Sequence, residues 1–335
     1  MTRIQELPKV ELHVHIEGTL EPELVLELAR DAGIDLPYRD AESLRGRYVF
    51  SNLQSFLDIY YENMAVLRRR HDFGRLAYEY ARRAHAGGVV HAEVFFDPQA
   101  HRIRGVPVTD VVSGLTDGFD RARSEFGFTA ELIACFLRDR PVAEAIATLD
   151  ELTACEAPIL GVGLDSAEVG YPASLFAEVF DRAGALGLRR VAHAGEEGGP
   201  ESIRMAMDTL AVERVDHGIR SVDDPALVAE LAADSVPLTV CPLSNVRLQA
   251  VTDLASHPLP DLLAAGAHVT INSDDPAYFG GYADDNFAAV AETFDLDDAT
   301  LARLAHNSVS ASFLSAERKE QVHARIDHWL EAAAD

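Results

Sequence analysis

The sequence is poor in cysteine and in basic residues, and it has no long apolar run. Three cysteines, Cys135, Cys155 and Cys241, occur in 335 residues. They are far apart and odd in number, which excludes a disulfide framework and points to free thiols in a reducing compartment. Lys and Arg number 29 against 55 Asp and Glu, a formal net charge of −26. A surface of that sign repels phosphate, so neither a nucleic-acid polymer nor an anionic membrane is expected as a partner, and a small neutral molecule is. No apolar stretch reaches the roughly 18 residues that a membrane span needs. The opening MTRIQELPKV holds no apolar signal core, so the expected location is the cytoplasm.

Several catalytic signatures are also missing. There is no H-E-x-x-H helix and no G-x-S-x-G elbow, and the GVG at 161–163 lacks the third glycine of a dinucleotide fingerprint. His91-Ala-Glu93 matches the H-x-E half of one zinc nucleobase-deaminase signature, but its P-C-x-x-C half is absent: Cys241 precedes Pro242 and no second cysteine follows. His91 is therefore expected to be buried structure. No internal repeat, linker or low-complexity tract is found.

What is present is a rhythm, and a hydrophobic content of 48% to support a sizeable core. Eight short Val/Ile/Leu-rich runs, at 10–16, 89–96, 130–137, 159–165, 189–195, 214–219, 236–243 and 267–273, read as parallel strands buried on both faces. Between them, stretches such as 172–188, 202–212 and 223–235 place apolar residues at helical spacing. Eightfold alternation predicts an α/β fold, a (β/α)8 TIM barrel forming one domain over 1–335, in preference to a doubly wound open sheet. Residues 19–88 break the rhythm. They read as wholly helical, an insertion after the first strand that either covers a pocket or pads the outside. The tail WLEAAAD reads as a fraying helix.

The chemistry begins in PKVELHVHIEG, residues 8–18. His13 and His15 are two apart and so project to one face of a strand. At the C-terminal end of a barrel strand that face is the active-site mouth. An H-x-H pair alone is weak evidence of a metal, but the placement recurs. His193 in VAHAGEE, His217 in RVDHGI, and Asp274 and Asp275 in TINSDDPAYFGG end the fifth, sixth and eighth runs. A closed barrel brings them to one rim, where imidazole and carboxylate donors suit zinc with a position left open for water.

Six motifs in order, ELHVHIEGTLEPEL, GLDSAEVGYP, VAHAGEEGGP, VDHGIR, LTVCPLSN and TINSDDPAYFGGY, resemble the adenosine/adenine deaminase family of metal-dependent amidohydrolases, most nearly its adenine branch, from about residue 7 to about 315. The resemblance implies a barrel holding one Zn2+ per chain, with iron as an alternative, on His13, His15, His193 and Asp274. It implies Glu196 as proton donor to the purine ring, His217 as the group that orients or deprotonates water, and Asp275 as a contact to the imidazole edge of the base. The implied reaction is hydrolysis of adenine to hypoxanthine and ammonia, in purine salvage, with no organic cofactor.

Two departures bear on substrate. The IEG segment puts Glu17 where the nucleoside enzymes carry a ribose-contacting aspartate, and GLDSAE puts Glu168 near the sugar region. Both carboxylates are expected to fill the ribose volume and favour the free base. Adenosine or another adenine-bearing compound is the alternative substrate. A metal-dependent hydrolase of esters, lactones or phosphodiesters is the rival class, but no lysine ends the fourth run to bridge two metals. A non-catalytic binding protein is expected to have lost a ligand or the proton donor, and all are present. A homo-oligomer is compatible with the sequence. Gly280 and Gly281 are expected to form a tight turn, and Ser244 and Asn245 to pack or hydrogen-bond at the seventh strand's end without a catalytic role.

Overall fold

The computed structural model describes residues 2–332. Its strands are β1 (Lys9–Glu11), β2 (Val89–Phe96), β3 (Thr129–Leu137), β4 (Ile159–Asp165), β5 (Arg189–Ala194), β6 (Arg214–His217), β7 (Pro237–Val240) and β8 (His268–Ile271). They pair in sequence order, every pair parallel. The first run closes the barrel irregularly. The Leu12 N–H donates to Oδ1 of Asn272 rather than to a backbone carbonyl, so the regular ladder stops. An isolated bridge of Val14 with Asp274 then joins the ends of the sheet, and one of His15 with Phe95 continues the pairing with β2. The expected (β/α)8 barrel is the fold found, with the first strand shorter than the 10–16 expected because its second half leaves the ladder to present its histidines.

The barrel interior is layered. At its N-terminal end Arg214 and Glu93 form an ion pair with both side chains fully buried. Phe313 lies over the Arg214 guanidinium at 4.4 Å, and its N–H donates to Glu93. The middle layer is apolar, with Phe95, Ile133, Cys135 and Val191 in one cluster. Gly163 faces it, and a Cβ there would lie 2.5 Å from the Cys135 sulfur. The polar residues of the C-terminal end form the third layer. Aliphatic and aromatic faces of the surrounding helices make the outer core. Cys135, Cys155 and Cys241 are unpaired. Among the described residues no helix is long and apolar enough to cross a membrane.

The insertion is not wholly helical. Helices Pro22–Ala32, Ala41–Arg45 and Leu53–Asn63 are separated by irregular chain at 33–40 and 46–52. Gly33, at φ 65°, ends the first, as the left-handed conformation at a helix C-terminus favours glycine. Capping boxes open the others, Asp40 with Ser43 and Asn52 with Ser55. The following helix, Arg70–Ala86, leads into β2 as an ordinary barrel helix. Leu53, Phe56, Leu57, Tyr60 and Tyr61 of the Leu53–Asn63 helix line the pocket over the strand ends, so the insertion is a roof rather than padding. The C-terminal helix runs Ala316–Glu331; the last three residues of the alanine-rich tail lie outside the described residues.

Candidate active site

His13, His15, His193 and Asp274 converge. Nε2 of His15 lies 3.2 Å from Nε2 of His193 and 3.5 Å from Oδ1 of Asp274. Nε2 of His13 is 3.2 Å from the same oxygen. One ligand atom from each of the four fits within 4.8 Å of all the others. Nε2 of His13 is buried and makes no hydrogen bond, which leaves its lone pair for a cation. The remaining ring nitrogens are fixed from behind: Nδ1 of His13 by the Thr239 hydroxyl at 3.0 Å, and Nδ1 of His193 by the Leu164 carbonyl at 3.1 Å. Thr239 in turn donates to Asp216 at 2.7 Å, and Ser244 donates to Oδ2 of Asp274 at 2.6 Å. Outer partners of this kind orient metal ligands.

Electrostatics suit the same purpose. Burial, together with the neighbouring imidazoles, holds His193 well below the usual histidine range. Burial also lowers His15 to about 4, so both rings are neutral with lone pairs available. Burial opposes charge on His13, but Asp274 and Asp216 together outweigh it and raise that ring. Asp274 is buried, yet the surrounding histidines hold it well below the carboxylate range, which keeps it anionic. Three imidazoles and a carboxylate are the donor set of a divalent metal.

Glu196 stands beside this cluster, 6% exposed, whereas Glu197 points to solvent. Burial, reinforced by Asp274 and Glu168, pushes the Glu196 carboxyl well above the usual range. Nε2 of His217 is 3.5 Å from Oε2 of Glu196 and 3.9 Å from Oδ2 of Asp274. The Asn245 amide donates to Nδ1 of His217 at 3.3 Å and reaches Oε1 of Glu196 at 3.5 Å. His257 fixes that amide from Oδ1 at 3.2 Å. Asp275 lines the same pocket, about 420 Å3 including its mouth. A methyl on Gly18 would sit 2.0 Å from Oδ1 of Asp275, so the glycine of the IEG segment makes room for that carboxyl. Three non-glycine residues at strand ends, Ser166, His217 and Asp274, take left-handed φ values of 70°, 64° and 65°. Such conformations cluster at functional sites.

The adenosine deaminase family profile matches residues 8–329. The chain belongs to the adenosine deaminase family. An adenine deaminase of Streptomyces coelicolor is 57% identical over 98% of this chain and 96% of its own length. One of Rhodospirillum rubrum is 53% identical over 96% and 97%. Among solved structures, an adenine deaminase from Arthrobacter aurescens superposes with a TM-score of 0.96 at 52% identity, covering 97% of this chain and 99% of that one. An amidohydrolase from Burkholderia ambifaria with bound zinc gives 0.91 at 29% identity, covering 100% and 94%.

Within this family member, two residues expected to face substrate do not line the pocket. Both oxygens of Glu168 are occupied by the loop after β5: Oε1 accepts from the Gly195 N–H at 2.8 Å and from the Ser202 hydroxyl, and Oε2 accepts from the N–H groups of Glu196, Glu197 and Gly198 at 3.2, 3.0 and 2.9 Å. A carboxylate so satisfied shapes a loop. Glu17 is fully buried. Its Oε1 accepts from the Asp97 N–H at 3.1 Å and from Nε2 of His101 at 2.7 Å. Arg104 donates to the other nitrogen of that ring at 2.6 Å. Burial works against its charge, but the His101 bond and charge outweigh it and hold Glu17 below the usual range.

Sequence reasoning passed over Asp97, Asp165 and Ser166, which do line the pocket. Asp165 and Ser166 sit in the quoted GLDSAE, and their position at the end of the fourth strand was the signal. Ser244 and Asn245 hydrogen-bond at the seventh strand's end as expected, and the groups they hold are Asp274, Glu196 and His217. His91 is structural as expected, bonded to Thr129 at 2.8 Å near the barrel's other end.

Proposed function

We propose that the chain hydrolyses adenine to hypoxanthine and ammonia with one zinc ion held by His13, His15, His193 and Asp274. The observation that carries this is a buried acid, Glu196, set beside a three-histidine, one-aspartate cluster in a chain about half identical, end to end, to adenine deaminases. Zinc, when bound, supplies the Lewis acidity that makes water nucleophilic near neutral pH.

The residues divide the proton work. The purine ring accepts electrons at C6 only if N1 is protonated, and a carboxyl kept neutral by burial can do this at neutral pH. Glu196 gives its proton to N1 as water adds to C6. The His217–Asp274 pair takes the proton that water loses and returns it to the exocyclic amine, which leaves as ammonia. The Glu196 carboxylate recovers a proton from the C6 hydroxyl as the carbonyl of hypoxanthine forms. Asp275 faces the imidazole edge, and the apolar side chains of the Leu53–Asn63 helix shield the reaction from bulk water.

A panel of adenine, adenosine, N6-methyladenine and guanine, assayed by ammonia release with metal content measured in parallel, tests this. Adenine is expected to be the best substrate, with about one zinc per chain and loss of activity on chelation that zinc restores. Faster turnover of adenosine, or full activity after exhaustive chelation, would overturn it.

A further inference from the structure

One wall of the pocket has no role in the zinc cluster or the proton transfers proposed above, although its Asp97 and Asp165 lie within ligand distance of His15. Asp97 follows β2, Asp165 ends β4 and Ser166 comes next; all three line the cavity shared with Glu196 and Asp275. Asp97 is 1% and Asp165 3% exposed, and the two carboxyls face each other closely enough to share a hydrogen bond; neither takes an N–H donor from the protein. The Ser166 hydroxyl has the Tyr61 phenol beside it on the same pocket wall. Buried polar groups are nearly always satisfied, so two facing carboxyls left without an N–H donor on a cavity wall are matched to a ligand. Asp97 is anchored from behind through its N–H to Glu17. Oδ2 of Asp165 lies 3.6 Å from Nδ1 of His15.

Adenine has one edge to offer that wall. With C6 at the metal cluster, N1 at Glu196 and N7 at Asp275, the remaining edge carries N3 and N9–H. N9–H is a donor and N3 an acceptor; a carboxyl oxygen accepts from the first and a serine hydroxyl donates to the second. A nucleoside has a sugar carbon in place of that hydrogen. It would strip the buried carboxyl of its donor and press carbon against it, and a site built for a polar group rejects an analogue lacking it.

We propose that Asp97, with Asp165 and Ser166, forms the subsite for the N3/N9–H edge of the purine and selects the free base over 9-substituted derivatives. This rests on the adenine reading above, and it moves the selectivity from Glu17 and Glu168 to the wall that Glu17 supports.

The zinc-loaded wild type is assayed with adenine and 9-methyladenine beside Asp97→Asn and Asp97→Ala. Absence of adenine turnover in the wild type would sink the functional assignment itself. Given that turnover, the wild type is expected to favour adenine over 9-methyladenine in kcat/KM by about 100-fold or more. Asp97→Ala is expected to cut that ratio at least about tenfold, mainly through the KM for adenine, and Asp97→Asn, which keeps an acceptor oxygen, to cut it less. A ratio unchanged in both variants overturns the proposal. Inhibition of the wild type needs no variant: hypoxanthine is expected to inhibit at about a tenth of the concentration of 9-methylhypoxanthine or less. Equal inhibition by the two also overturns it.

Discussion

Replacing Glu168 with Gln separates a residue that touches substrate from one that positions the proton donor. The Glu168 carboxylate accepts five hydrogen bonds, four of them from consecutive N–H groups at Gly195 to Gly198. An amide has nearly the same shape but one acceptor oxygen. Whichever way it turns, its NH2 faces at least one backbone N–H, and the negative charge is gone. A hydrogen bond to a charged group is worth about 1.5–3 kcal/mol and a neutral one about 1. Loss of two bonds and weakening of the rest costs the loop on the order of 3 kcal/mol. That loop carries Glu196, so the cost falls on the transition state, and kcat for adenine is expected to drop about 100-fold. KM is expected to move less than about threefold, since Glu168 does not line the pocket. Steady-state ammonia release measures both constants, with circular dichroism and zinc content to show an intact fold. A variant whose KM rises while kcat stays within about threefold of wild type would return Glu168 to the substrate and refute the clamp.

Two predictions concern the far end of the barrel. Glu93→Ala leaves the buried Arg214 without its partner, and an uncompensated buried charge costs about 3–5 kcal/mol; thermal or urea unfolding should show that loss, while kcat of the folded fraction stays near wild type. His91 is 2% exposed, and burial lowers it to about 4 from 6.5. The unfolded chain therefore binds a proton that the native one refuses between pH 6.5 and 4. Stability is expected to fall through that window by up to about 3 kcal/mol. His91→Gln should flatten that part of a stability-against-pH curve, and an unchanged slope would remove His91 as its cause.

The barrel was legible because eight strands buried on both faces leave eight short Val/Ile/Leu-rich runs, set apart by the helical spacing between them. The candidate metal cluster was legible because its members close strands or pair across one residue, as His13 and His15 do. The insertion was read as more helical than it is, since the apolar spacing continues across 33–40 and 46–52 while Gly33 and the caps at Asp40 and Asn52 divide it. Glu17 and Glu168 show the other limit. A glutamate in a motif advertises its charge, not the direction of its side chain, and only the fold shows Glu168 turned onto a row of N–H groups and Glu17 turned onto His101. Asp97 was silent for the same reason: an aspartate before a proline reads as a turn until the end of β4, two strands along the barrel, brings Asp165 beside it.

The left-handed backbone at Ser166, His217 and Asp274 narrows the paths open to mutation. Each such residue raises the energy of the native state by roughly 1–3 kcal/mol, and only glycine, asparagine, aspartate and histidine take that conformation readily. A library randomised at these three positions should thus lose most members to misfolding before any are screened for new chemistry. Altered specificity is easier to reach from the Leu53–Asn63 roof, where ordinary helical geometry sets no such restriction on the backbone and apolar side chains of other shapes can be exchanged.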